Sequence, residues 1–201
     1  MEELEIKGIK YKLPIYLPDA TRAVVKSTDS LDLKGAKVEG AVVNTYHLMT
    51  DPGISVLKDF GGIKRFMSFN GLIASDSGGW QIFSLIHRSK NLGSITDKGV
   101  TFSIGTKKKA LFSPEKSIEV QFGIGSDIVI CLDDFTPPDA GKEKIRESVE
   151  RTILWAKRSK EQYLKMLEEK GMGDKSRPLI FSVIQGGFDK ELRKYCAEKL
   201  L

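Results

Sequence analysis

Four short apolar runs along the chain each break off at a polar residue: Gly40-Ala41-Val42-Val43 before Asn44, Leu72-Ile73-Ala74-Ser75 before Asp76, Ile128 to Leu132 before Asp133, and Leu179 to Ile184 before Gln185. Continuous apolar stretches of this length are expected to form strands buried on both faces, as in a parallel sheet. The segments between them carry helical signals. Ser113-Pro114-Glu115 supplies an N-cap, a proline at the first helical position and an early acid, and predicts a helix ending near Gly123 to Gly125. From Gly141 to about Gly171, apolar residues such as Ile145, Val149, Ile153, Ala156 and Tyr163 recur three and four positions apart, which predicts one long amphipathic helix. Gly99 to Phe112 alternates, with a turn at Gly105 and Thr106, and predicts an inserted β-hairpin.

Strand, polar residue, helix and strand again is the pattern of α/β architecture, in which right-handed crossovers bring the carboxyl ends of all strands to one rim. Asn44, Asp76, Asp133 and Gln185 should therefore face one pocket. No GxGxxG follows the first strand, so a (β/α)8 TIM-barrel type is favoured over a doubly wound sheet. A complete barrel needs roughly 250 residues. The 201 residues here supply four or five units, about the first half of a barrel with an inserted hairpin.

Composition narrows the class without changing the architecture. With 40% hydrophobic and 29% charged residues, the chain is expected to be globular, and no apolar run reaches the roughly 18 residues of a membrane span. Early Glu2, Glu3, Glu5 and Lys7 do not fit a signal peptide, so a cytoplasmic setting is expected. Cys131 and Cys196 belong to no CxxC pair and lie near no histidine at ligand spacing, so neither a disulfide nor a metal is expected. The net charge of +5 suits a phosphate-bearing partner. Lys107, Lys108 and Lys109, the one tight basic run, are best explained as a solvated turn.

Three of the strand ends carry groups suited to chemistry. Ser75-Asp76-Ser77-Gly78-Gly79-Trp80-Gln81 puts a carboxylate and a hydroxyl beside two glycines and a flat aromatic; an ordinary capped β-to-α turn has the same shape. Asp133-Asp134 is a paired carboxylate, and Gln185-Gly186-Gly187 offers an amide beside accessible backbone. Together they match guanine: a carboxylate accepts from N1–H and the exocyclic amine while amides donate to O6. Trp80 would stack on the base, a contact worth about 1–3 kcal/mol. His47 is expected to be structural, His87 to lie at the surface and Cys131 to be inert core.

The blocks Asn44-Thr45-Tyr46-His47-Leu48, Asp51-Pro52-Gly53, Gly61-Gly62-Ile63 with Phe66-Met67, Asp76 to Leu85, Ser113-Pro114-Glu115, Ser126-Asp127-Ile128, Asp133-Asp134 with Thr136-Pro137, and Ile184-Gln185-Gly186-Gly187 resemble, in order, those of tRNA-guanine transglycosylases, the queuine tRNA-ribosyltransferases. The resemblance implies exchange of a tRNA guanine for a 7-deazaguanine through a covalent aspartate–ribose link, on a (β/α)8 barrel with a zinc subdomain. It implies that Asp76 is the acid/base carboxylate, with Ser77, Gly78, Gly79 and Trp80 contacting the base. Asp133, Gln185 and Gly186 would read the base, and Asn44 and Gln81 would position Asp76. Residues 1–201 would form a partial barrel domain, with the later base contact, the nucleophile, the tRNA-contacting segment and the zinc site all beyond Leu201. No cofactor is then expected in this chain. The implied partners are tRNA, guanine or a 7-deazaguanine, and the missing half or a dimer partner, without a membrane. Two other readings remain: a non-catalytic deazapurine-binding or partner subunit, and a related enzyme acting on DNA. Three positions depart from the family's pattern: Trp80 in place of a smaller aromatic, Phe135 where cysteine is common, and Asp19 in a stretch that is mostly apolar or small.

Overall fold

A computed structural model describes residues 2–88, 93–104 and 108–201. In chain order the elements are β1 (Glu3–Ile6), β2 (Ile9–Lys12), α1 (Ser30–Gly35), β3 (Gly40–Val43), α2 (Thr45–Thr50), α3 (Ile54–Asp59), α4 (Ile63–Phe66), β4 (Leu72–Ser75), α5 (Gly79–Arg88), β5 (Gly93–Thr96), β6 (Gly99–Ile104), β7 (Lys108–Phe112), α6 (Pro114–Ile124), β8 (Ile128–Ile130), α7 (Lys142–Glu169), β9 (Leu179–Phe181) and α8 (Lys190–Leu200). The four apolar runs form one parallel sheet in the order β3-β4-β8-β9. Sequential neighbours in a parallel sheet require a crossover between each pair, and the chain supplies helices there. A helix-covered parallel sheet of the expected α/β class results.

Burial follows position in that sheet. All four residues of β4 are buried between β3 and β8. At the sheet edge β9 is only half-buried, with Phe181 44% exposed, so the expectation of burial on both faces fails for this strand. Strands β8 and β9 are also shorter than their apolar runs. Leu132 leaves the sheet to pack with Phe83 and Trp155, and residues 182–185 continue as rim loop.

Two N-terminal features escaped the sequence reading because their patterns are short. Hairpin β1–β2 caps the amino-terminal end of the sheet, with Ile6 and Tyr11 packed against Leu72, Ala74 and Ile128. Residues 18–20 run parallel to β3: Val42 N–H donates to Pro18 O at 2.9 Å and Ala20 N–H to Val42 O at 2.7 Å. This adds a fifth chain segment beside β3, with Asp19 opposite Val42.

Local signals hold for the two main helices. Ser113 Oγ accepts from Lys116 N–H at 3.2 Å, Pro114 opens α6, and Gly125 closes it in the left-handed region with φ +86°. Helix α7 lays Val149, Thr152, Trp155 and Tyr163 inward as one buried face. The expected hairpin is present as β6 and β7, extended by β5 into a three-stranded antiparallel sheet. Its turn at Gly105 and Thr106 lies outside the described residues, as do Lys107 and the side chains of Lys108, Lys109 and His87. Phe102 and Phe112 from this sheet pack with Phe83, Leu132 and Trp155.

Beneath the sheet, Asp127 is buried and takes three donors: Lys7 Nζ at 2.9 Å, Lys64 Nζ at 2.7 Å and Ile73 N–H at 2.9 Å. This carboxylate ties β1–β2, α4 and β4 to the start of β8. Among the described residues no helix is long and apolar enough to cross a membrane.

Candidate functional site

The carboxyl ends of β3 and β4 meet at Asp76. Asn44, 3% exposed, N-caps α2 by accepting from His47 N–H at 2.9 Å, which turns its Nδ2 toward Asp76 Oδ2 at 2.6 Å. Thr45 N–H and Gly78 N–H both donate to Asp76 Oδ1 at 3.0 Å. Gly78 adopts φ +77°, and a Cβ there would meet Tyr46 N at 3.0 Å, so the turn that delivers this amide requires glycine. Burial nevertheless raises the Asp76 carboxyl to about 6, outweighing the three donors, and the negative Asp19 adds to the rise. A carboxyl poised there exchanges a proton readily near neutral pH.

The ends of β8 and β9 meet at the second expected pair. Gln185 Nε2 donates to Asp133 Oδ2 at 2.6 Å, and Ser77 Oγ contacts Asp133 Oδ1 at 3.4 Å. Ser77 thus links the two carboxylate-bearing loops. Burial raises the Asp133 carboxyl above its ordinary range, with Gln185 and Ser77 opposing. Gly186 holds φ +136° with α8 so near that a Cβ would lie 2.7 Å from Arg193 N. Only glycine fits there.

Asp76, Ser77, Gly78, Trp80, Ile130, Asp133, Phe135 and Val183 line one cavity of about 220 Å³. That is below the roughly 300–1,000 Å³ of drug-sized sites and suits a single bicyclic heterocycle. A larger cavity of about 600 Å³ lies between α7, α8 and the sheet, but it holds none of the expected site residues. Convergent polar groups, rather than volume, mark the site.

The three departures from the family pattern gather at this rim. Phe135 packs edge-on against Trp80, with ring centroids 4.5 Å apart and planes at 83°, so one large aromatic accompanies the other. Asp19 sits on the segment beside β3, where its charge bears on Asp76. Of the expected positioning pair, Asn44 bonds Asp76; Gln81 Oε1, an acceptor, is buried without a hydrogen-bond partner among the described residues. His47 lies within α2 and packs edge-on against Tyr46, and Cys131 lies in the core, where burial pushes its thiol up.

Sequence reasoning missed the groups that anchor the Asp133 loop. Thr152 Oγ1 on α7 accepts from Asp134 N–H at 3.0 Å, and the Arg151 guanidinium pairs with the Asp134 carboxylate. Arg151 also reaches Asp97 Oδ1 at 3.2 Å, tying the loop to the β5–β6 turn. A threonine within an apolar helical face was the only available signal. Thr152→Val keeps the shape and removes the hydroxyl, and is expected to cost about 1 kcal/mol. Urea unfolding checks this, and an unchanged midpoint would show that the hydroxyl contributes nothing.

A model of the queuine tRNA-ribosyltransferase family matches residues 1–201. The chain belongs to the queuine tRNA-ribosyltransferase family. Among its relatives of that name, the one from Methylacidiphilum infernorum is 42% identical over 190 residues, covering 94% of this chain and 49% of the relative. Those from Caldanaerobacter subterraneus and Staphylococcus aureus are 38% and 36% identical, each with 47% of the relative covered. The chain therefore spans about half the length of the curated relatives it matches. Members of the queuine tRNA-ribosyltransferase family are pentosyltransferases, and two of the motif blocks of this chain, those at Asp76 and at Asp133, contribute residues to its rim cavity.

Proposed function

We propose that this chain forms the base-binding part of a tRNA base-exchange enzyme, on what would be the first half of a (β/α)8 barrel. Guanine leaves and a 7-deazaguanine enters. The observation that carries the reading is that Asp76 and Asp133, from separate strand ends, line one cavity beside Trp80. Asp133 and Gln185 would read the hydrogen-bonding edge of the base, Trp80 would cover a face, and Asp76 would hold and return the proton of the leaving base. Departure of a purine anion is costly, and a carboxyl near 6 can supply the proton as the glycosidic bond breaks. The zinc implied by the family finds no ligand set here: among the described residues no cluster of three metal-binding side chains exists, and both cysteines are buried. No step runs through it.

Quenching of Trp80 fluorescence by guanine, against adenine as control, tests the reading. Guanine should bind at least about tenfold more tightly than adenine, because a site built for hydrogen bonds rejects a base lacking their partners. Asp133→Asn should abolish that preference. Equal affinities for the two bases, or a preference untouched by the substitution, would overturn it.

A further inference from the structure

Strands β4 and β8 pair only as far as Ala74 with Ile128 and Ser75 with Val129. Beyond that point the chains separate, and the cavity opens between them. On its other side β8 stays paired, with Cys131 N–H donating to Phe181 O at 2.8 Å. The next peptide groups facing β4 are the N–H and C=O of Ile130, and both are taken by one side chain. Gln121 Oε1 accepts from Ile130 N–H at 2.8 Å, and its Nε2 donates to Ile130 O at 2.9 Å.

The same carboxamide holds the β4 side. Ser75 Oγ donates to Gln121 Oε1 at 2.8 Å, and Gln121 Nε2 donates to Ser117 Oγ at 3.0 Å. Ser117 Oγ in turn donates to Ser77 O at 2.8 Å. Gln121 is fully buried, and its carboxamide makes four of these five bonds. A carboxamide carries the same donor and acceptor as a backbone peptide, and here it stands in the place a neighbouring strand would occupy.

We infer that Gln121 is a positioning residue: its side chain, wedged from α6 between β4 and β8, sets the gap across which Asp76 and Asp133 face one base. Without the wedge the exposed peptide of Ile130 would be orphaned, or the strands would zip closed one residue further and narrow the cavity. Both carboxylates would then lose their common ligand. The inference rests on the base-binding reading above.

The test compares guanine binding by the 201-residue chain and by Asp133→Asn, each with and without Gln121→Met, which keeps length and volume but has no amide. With Gln121 present, Asp133→Asn should weaken guanine binding at least about tenfold. In the Gln121→Met background the same change should cost less than about twofold, since Asp133 no longer reaches a base held by Asp76. Loss of stability alone scales both members of a pair equally and leaves this ratio unmoved. A tenfold cost retained in Gln121→Met overturns the inference while leaving the base-binding reading intact. No effect of Asp133→Asn with Gln121 present overturns the reading and the inference together. Should Gln121→Met fail to fold, Gln121→Glu, which keeps the acceptor for Ile130 N–H, carries the same comparison. Failure of both to fold would mark Gln121 as a structural residue only.

Discussion

Asp76→Asn is expected to stabilise the fold relative to the parent chain by an amount that grows with pH. The folded carboxyl stands at about 6, above its ordinary 3.8, because burial disfavours its charge. A raised acid binds its proton more tightly in the native state than in the unfolded one. Native stability of the parent therefore falls as pH rises from about 4 to about 6, and an asparagine at the same position does not share that fall. The stability difference between variant and parent should increase by about 3 kcal/mol between pH 4 and pH 7.5, from a rise of about two units at 1.36 kcal/mol each. Taking the change in that difference cancels whatever the amide loses at Asn44 or at the two backbone donors. Urea unfolding across this range measures it, and a difference that stays flat with pH would show that the carboxyl carries no such strain. The same substitution should impair guanine exchange in any assembly that turns over, the usual cost of relieving a functional site.

Asp127→Asn should behave oppositely. Burial works against this carboxylate too, but Lys64, Lys7 and the Ile73 amide outweigh it and hold it below the ordinary range. Its contribution to stability is therefore present above the unfolded value near 4 and is lost as pH falls through the lower folded value. Removing one member of a buried ion pair typically costs about 3–5 kcal/mol. Here the lysines are 26% and 29% exposed and can turn to water, which places the expected loss near the lower end, about 3 kcal/mol at pH 7. The gap between variant and parent should narrow below pH 4. A loss under about 1 kcal/mol at pH 7, or a gap that persists at pH 3, would contradict the arrangement.

These two aspartates sit at opposite ends of the same sheet and show what a linear reading can recover. Each follows or precedes an apolar run, and each is part of a motif block, so both were visible as candidates. Their opposite electrostatics were not. Asp127 has two lysines far from it in sequence, Lys7 and Lys64, while Asp76 has only neutral donors and a second carboxylate. Which charges surround a carboxylate depends on chain crossings that periodicity does not encode.

The same division holds for the site. Runs of apolar residues ending in Asn44, Asp76, Asp133 and Gln185 pointed to four parallel strands, since right-handed crossovers bring their carboxyl ends to one side; of the four end groups Asp76 and Asp133 line the cavity, while Asn44 and Gln185 bond to them from behind. Helix caps at Ser113 and Gly125 were equally local and equally legible. Tertiary structure alone decided that Gln185 bonds Asp133, that Gln81 Oε1 is buried without a partner among the described residues, and that Phe135 leans on Trp80. It also decided that Thr152 and Gln121, polar residues on otherwise ordinary helices, anchor the loops that aim the carboxylates. Hydrophobic periodicity is set by a few neighbouring residues. The partners of a buried polar group are chosen by whichever distant segment arrives to satisfy it.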